Sequence, residues 1–222
     1  MLASTPPGLY AEVALNADAE DATWLAFLIA YLGLLDGGGD PFASVREART
    51  TWASGELRVP TVASLGARSA HDSARGDQTL VAYRRWAERA GSQSAAFMAD
   101  VSWTPEQRFE RVFERLALPG LHRRARYELL VSLGALGRYP LAAPSLLLGE
   151  DDAVSRAAKR VFGIGDRLTL ERRAGELAAS IDVPIEALDL ALENWAAPTR
   201  ITLAVDARDE DVFARARVAL EV

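Results

Sequence analysis

The sequence predicts an all-α protein, and three observations carry the expectation. Apolar residues recur at helical spacing through most of the chain, N-capping residues precede those periods, and strand-like alternation is confined to one short stretch near the C-terminus. Half of the 222 residues are hydrophobic, enough to bury a core as one large domain or two smaller lobes. Helical lobes over residues 1–103 and 104–199, with 200–222 as a C-terminal add-on, fit the order of elements.

Asp21 is placed to cap a helix whose Trp24, Phe27, Leu28 and Tyr31 fall at i, i+3, i+4, i+7 spacing. Residues 22–35, ATWLAFLIAYLGLL, are apolar on every side but too few to cross roughly 30 Å of hydrocarbon. A buried helix is expected there, and no membrane span. The run GGGDP at 37–41 ends it. A second helix is expected from Phe42 to about Ser54, and residues 56–77 read as a long loop holding His71, one of two histidines. Helix resumes from about Thr79 to Arg89, and Gly91-Ser92 stops and restarts the chain toward Met98.

Thr104-Pro105-Glu106-Gln107 joins an N-cap, a Pro at the first helical position and a Gln at the third, the capping-box arrangement. The helix so begun places Phe109, Val112, Phe113 and Leu116 on one stripe, with Glu110, Arg111, Glu114 and Arg115 outside it, and ends at Pro119-Gly120. The next begins near Arg123 and has a broad apolar face of Tyr127, Leu129, Leu130, Val131 and Leu133. After a Pro- and Gly-containing link, residues 149–152 lead into a helix through about Phe162, punctuated by Gly163 and Gly165. Helices over Thr169–Ile181 and Pro184–Trp195 follow. Arg200–Val205 reads as a strand ahead of an acidic cap, Asp206, and a last helical pattern.

The absence of Cys removes disulfides, thiolate nucleophiles and cysteine-ligated zinc or iron–sulfur sites. The segment MLASTPPG carries no charged stretch leading into an apolar one, so no secretion signal is expected and a cytoplasmic location is. Net charge is −6, unevenly placed: −5 over residues 1–107, +5 over 108–173 and −6 over 174–222. A basic middle third that shares one face would track a phosphate backbone, while solvated helix faces account for the same charges equally well.

Within that basic stretch lies LPGLHRRARYELLVSLG, residues 118–134, a Pro-Gly turn that presents Arg123, Arg124 and Arg126 as a helix begins. Free backbone N–H groups at a helix start form a phosphate-binding device, and clustered arginine supplies matching charge. Leu118-Pro119-Gly120-Leu121-His122 resembles the L-P-G-φ-G hairpin of the helix-hairpin-helix DNA glycosylase superfamily, in four of five places. DDAVSRAAKRVFG resembles that family's helix beginning at the catalytic aspartate. With Asp151 as that aspartate, Val154, Arg156 and Arg160 stand at the family's apolar and arginine offsets. The later ERRAGELAAS pattern, Pro start and helix ending at Trp195 resemble the family's order of elements, so the likeness covers about residues 104–196.

The resemblance implies a two-lobed helical bundle of glycosylase type that binds DNA, double-stranded or with a flipped base. Gly120, His122, Arg123, Arg124 and Arg126 would be its DNA-binding residues. His122 replaces the family's third glycine, a position that tolerates positive φ. Arg124 stands where bifunctional members place a lysine nucleophile, and a guanidinium that stays protonated forms no Schiff base, so strand-cleaving lyase activity is not expected.

A monofunctional mechanism remains: Asp151 would stabilise positive charge developing on the sugar as the N-glycosidic bond breaks, and activate water. An acidic residue before a helix is equally a cap, and Glu150 or Asp152 could fill either role. Trp24 and Tyr31 are candidates for walls of a base pocket, with core packing the alternative for a stripe at helical spacing. Loss of chemistry on a retained DNA-binding or protein-interaction scaffold, and action on hypermodified thymine, stay open as alternatives. No phosphate loop, dinucleotide fingerprint or metal-ligand constellation is present, so no cofactor and no metal are expected.

Overall fold

A computed structural model of the chain describes residues 8–35, 39–61, 64–66, 68–149 and 152–196. Helices make up the regular structure of those residues: α1 Leu9–Leu15, α2 Ala19–Leu32, α3 Ala43–Ala48, α4 Gln78–Arg89, α5 Gln93–Met98, α6 Pro105–Arg115, α7 Arg123–Ala135, α8 Ala153–Phe162, α9 Arg167–Ser180 and α10 Ile185–Ala196. The all-α expectation holds for the described residues. Residues 200–205, read as a strand, and the segment after them lie outside that set. Two compact units emerge, 1–142 and 143–222, with α6 and α7 in the first.

The first unit is built around α2, which is buried continuously from Ala22 to Leu32 because α1, α3, α5 and α7 all pack on it. Its aromatic residues form a column: Trp24 stacks on Phe27 at 5.4 Å, Phe27 lies 5.6 Å from Tyr31, and Tyr83 of α4 stacks on Phe27 at 3.7 Å. Such ring pairs contribute about 0.5–1.5 kcal/mol each beyond the area they bury. Thr23 shows how a polar group is paired inside this core, whereas the buried Ser44 hydroxyl of α3 has no hydrogen-bond partner among the described residues. Thr23 Oγ1 gives its proton to the Ala19 carbonyl at 2.7 Å, so the Tyr139 hydroxyl, 2.7 Å away, must donate to Thr23.

Several boundaries differ from the sequence reading for identifiable reasons. The cap of α2 is Asp18, whose carboxylate accepts from the N–H groups of Glu20 and Asp21, while Asp21 accepts from the Trp52 N–H instead. α3 stops at Ala48 rather than continuing to Ser54. Arg49 turns extended, the β-branched Thr50 donates its hydroxyl to the Glu56 carbonyl, and Trp52–Ser54 forms a separate 3-10 turn. α1 is short and Gly8 offers it no capping side chain, so its start carries no signal in the sequence.

The capping box of α6 is complete: Gln107 N–H donates to the Thr104 hydroxyl, and Thr104 N–H to the Gln107 side chain. Arg108 on that helix is buried, and its guanidinium donates to the carbonyls of Met98, Asp100 and Pro140 at 3.0–3.1 Å. It fixes how α6 meets the α5–α6 link and the chain after α7.

In the second unit α8, α9 and α10 enclose Leu146, Leu148, Val154, Leu170, Leu177, Leu188 and Leu192. The Glu171 carboxylate of α9 accepts from the Leu148 N–H at 2.8 Å, tying the segment before α8 to the bundle. No helix among the described residues is long and apolar enough to cross a membrane.

Candidate functional site

The turn between α6 and α7 takes the form its sequence demands. The Leu121 N–H closes onto the Leu118 carbonyl at 3.0 Å, with Pro119 and Gly120 at the two central positions. Gly120 adopts φ +78°, the left-handed value a type II turn needs at its third residue. Space demands glycine as well: a Cβ at residue 120 would sit 2.3 Å from the hydroxyl oxygen of Thr79. That hydroxyl donates to the Pro119 carbonyl at 3.0 Å, so the second residue of α4 holds the turn in place. Leu116 and Leu121 anchor the two sides in the core.

His122 is the N-cap of α7 at φ −68°, ψ 162°, extended backbone open to any residue, so histidine in place of the family's third glycine imposes no backbone strain. Its side chain is exposed and makes no capping hydrogen bond. The opening N–H groups of a helix have no intrahelical partner, and the His122 side chain caps none of them here. Asp77, the N-cap of α4, likewise makes no side-chain capping bond, unlike the caps of α2, α5, α6, α8 and α9. The positive ends of two helices therefore approach the Pro119–Gly120 turn.

The arginines distribute differently from their sequence order. Arg123 is buried, with its guanidinium 4.5 Å above the Tyr127 ring. Arg126 lies 4.3 Å over the Phe113 ring and donates to the Phe113 carbonyl at 3.1 Å. Burial, with the nearby Arg123 charge adding to it, lowers the Arg126 pKa from its ordinary value. Arg126 clamps α7 to α6, whereas the Arg123 contact lies within α7. Arg124 is one-fifth exposed and pairs with Glu128 at 3.8 Å, one helical turn on. Glu128 in turn accepts from the Tyr10 hydroxyl at 3.4 Å.

Sequence reasoning missed Arg75. Its aliphatic stem is 3.3 Å from where a Cβ on Gly120 would stand, and its half-exposed head pairs with Asp72 at 3.2 Å. It comes from the segment read only as a long loop, which carries a 3-10 turn at Ser73–Arg75 leading into α4. Residue spacing gives no signal for such a neighbour.

Trp24 and Tyr31 lie in the interior, 1% and 0% exposed, as members of the aromatic column. They are packing residues of α2 and present no open face to a base. The Tyr31 hydroxyl does reach one polar partner, His71 Nδ1, at 2.9 Å.

Asp151 lies outside the described residues. Its neighbour Asp152 is the N-cap of α8: one carboxylate oxygen accepts from the Ser155 N–H at 3.0 Å, the other from the Ser155 hydroxyl at 2.7 Å and the Gly149 N–H at 2.9 Å. The capping bonds give Asp152 a structural task.

A shallow cleft of about 280 Å³ lined by Trp86, Arg89, Ala90, Ala96 and Arg115 also opens on the first unit. Arg89 and Arg115 stand in the last turns of α4 and α6, where the negative ends of those helices offset part of their charge. Among the described residues no group of three or more His, Asp or Glu side chains is arranged to hold a metal. Compared with known proteins, the chain matches no family model, no curated protein and no solved structure.

Proposed function

We propose that the protein binds DNA through the α6–α7 hairpin and hydrolyses the N-glycosidic bond of a damaged or modified base, on a two-lobed scaffold of glycosylase type, with Asp151 as the reacting carboxylate. The observation that carries this reading is the Pro119–Gly120 turn. Its glycine is required by both φ and space, and it leads into a helix whose N-cap side chain makes no capping bond. A DNA phosphate would be met there by backbone N–H groups and the helix end, with Arg124 and Arg75 supplying charge at the flanks. Arg123 and Arg126 support the hairpin from behind.

The carboxylate assignment draws on the resemblance that aligns Asp151 with the glycosylases' catalytic aspartate, and on Asp152 being engaged as a cap. A carboxylate near the anomeric carbon favours the cationic transition state of base release. The test uses duplex oligonucleotides carrying uracil, hypoxanthine, alkylated or oxidised bases, with alkaline heating to reveal abasic sites. The reading expects product from at least one substrate, lost in Asp151→Asn and kept in Asp152→Asn, since Asn also caps helices. Duplex binding with no product from any substrate would instead assign the hairpin to a DNA-binding module without chemistry.

A further inference from the structure

We propose that the shallow cleft bounded by α4, α5 and the end of α6 is a binding site for a nucleoside monophosphate, with the phosphate held by Arg89 and Arg115 and the base against Trp86. Neither the hairpin nor any chemistry at Asp151 enters into it. The cleft measures about 280 Å³, and Ala90 and Ala96 complete its lining. Ligand sites commonly run to about 300–1,000 Å³, so this one takes a single ring system with its anion and nothing larger.

Ion pairing sets the two arginines apart. Exposed arginines elsewhere in the first unit meet a carboxylate: Arg46 pairs with Asp40 at 2.8 Å, Arg49 with Glu12 at 2.7 Å, Arg75 with Asp72 at 3.2 Å and Arg111 with Glu114 at 3.4 Å. Arg89 and Arg115 are exposed too, yet among the described residues neither has a carboxylate or a hydrogen-bond acceptor. The acid just before each is turned to another arginine, Glu88 to Arg84 at 3.9 Å and Glu114 to Arg111. Arg85, one turn before Arg89 on α4, also lacks a carboxylate among the described residues and adds to the positive field.

The helix ends do not cancel that field. Each carries about half a negative charge, against a full positive charge on each guanidinium. Their carbonyls are also engaged: those of Ala87 and Glu88 accept from the Ala90 and Gly91 N–H groups at 3.0 Å, and that of Phe113 accepts from Arg126. A phosphate monoester offers three terminal oxygens to the two guanidinium edges, where a carboxylate offers two.

The apolar side of the cleft is already rigid. Trp86 is 8% exposed, held by the Phe97 ring edge-on at 5.2 Å and by Tyr83 at 5.6 Å, so a ring laid against it orders nothing new. The Arg115 guanidinium lies 5.1 Å over the half-buried Trp103 ring. Stacking engages the face of the guanidinium and leaves its N–H edge to donate in plane. Ala90 and Ala96 end at Cβ and keep the floor open. Contact of a base with an aromatic side chain tolerates any base, so the site specifies a nucleotide by its phosphate and its flat ring.

Calorimetric titration of the full-length protein at low salt with adenosine 5′-monophosphate tests this, beside adenosine, ribose 5-phosphate and inorganic phosphate. The nucleotide is expected to bind saturably, and each of the three parts about tenfold more weakly or worse. Arg89→Ala and Arg115→Ala should each weaken the nucleotide about tenfold or more, and Arg115→Lys by less than Arg115→Ala. Ala90→Leu fills the cleft without changing charge and should remove binding. Arg172→Ala, which deletes the same charge from α9, should leave it unchanged. The substituted side chains are all exposed, and thermal midpoints confirm that the variants fold. Competition by a short 5′-phosphorylated single strand would show that the cleft takes the nucleotide at a strand end, and failure to compete that it takes the free nucleotide. No saturable binding, binding that survives Ala90→Leu, inorganic phosphate held as tightly as the nucleotide, or an equal loss in Arg172→Ala would each overturn the assignment.

Discussion

The Thr79 hydroxyl supports the Pro119 carbonyl at 3.0 Å and also fills the space that any side chain on residue 120 would need. Turn and support are therefore one unit. Gly120→Ala adds left-handed strain and an overpacked contact, and is expected to destabilise the protein by about 2–4 kcal/mol. In a Thr79→Ala background the contact is gone, and the same substitution costs only the backbone strain, about 1 kcal/mol. Urea denaturation of the four proteins in the cycle checks this. Equal costs of Gly120→Ala in the two backgrounds would show that Thr79 does not crowd the turn.

Asp152 supplies a second prediction. Losing its carboxylate removes the acceptor for the Ser155 and Gly149 N–H groups, so Asp152→Ala is expected to lower stability by about 1 kcal/mol, while Asp152→Asn stays close to the parent. Asp151→Asn should leave the denaturation midpoint unchanged and remove base release. A stability loss confined to the Asp151 variant would reverse the two roles.

Why some of this was legible in the sequence and some was not follows from the range of the forces involved. The capping box at Thr104, the α2 stripe and the Pro119–Gly120 turn depend on residues within a turn of one another, and spacing reports them directly. The fates of Arg123 and Arg126 depend on where Tyr127 and Phe113 point, and those of Thr79, Arg75 and His71 on contacts across about 40 residues or more. Nothing in residue order distinguishes an arginine that reaches solvent from one that lies on a ring. Tyr31 shows the same limit: its helical spacing marks it as core, and only the fold reveals that its hydroxyl meets an imidazole.

Acid sensitivity gives a third prediction. Burial pushes the Glu20 carboxyl up, and bonds from the Ser94 N–H and hydroxyl and from Gln93 more than reverse it, leaving the pKa below the ordinary value. A depressed carboxylate stabilises the fold above its unfolded pKa of about 4.3, and that contribution fades as pH falls through the folded value. Glu20→Gln should therefore lower stability at neutral pH and flatten the acid limb of a Tm-against-pH curve. A parallel shift at every pH would detach Glu20 from the acid transition.

Arg126 yields a fourth. Removing its guanidinium deletes a ring contact and the bond to the Phe113 carbonyl, and Arg126→Ala is expected to cost about 1–3 kcal/mol. Arg75→Ala removes a half-exposed ion pair and should change stability by less than about 1 kcal/mol. Denaturation midpoints check both, and any effect of Arg126→Ala on DNA must be read beside its loss of fold stability. An Arg126→Ala protein as stable as the parent would release Arg126 from its structural role.

Fluorescence anisotropy of a labelled duplex, titrated with the full-length protein over a range of salt, tests the central claim most directly. Binding is expected to weaken as salt rises, to weaken further in Gly120→Ala under conditions where that variant is folded, and to show a shallower salt slope in Arg124→Ala and Arg75→Ala. Absence of binding even at low salt, or binding that neither Gly120→Ala nor the arginine variants disturb, would contradict the assignment of the α6–α7 hairpin to DNA.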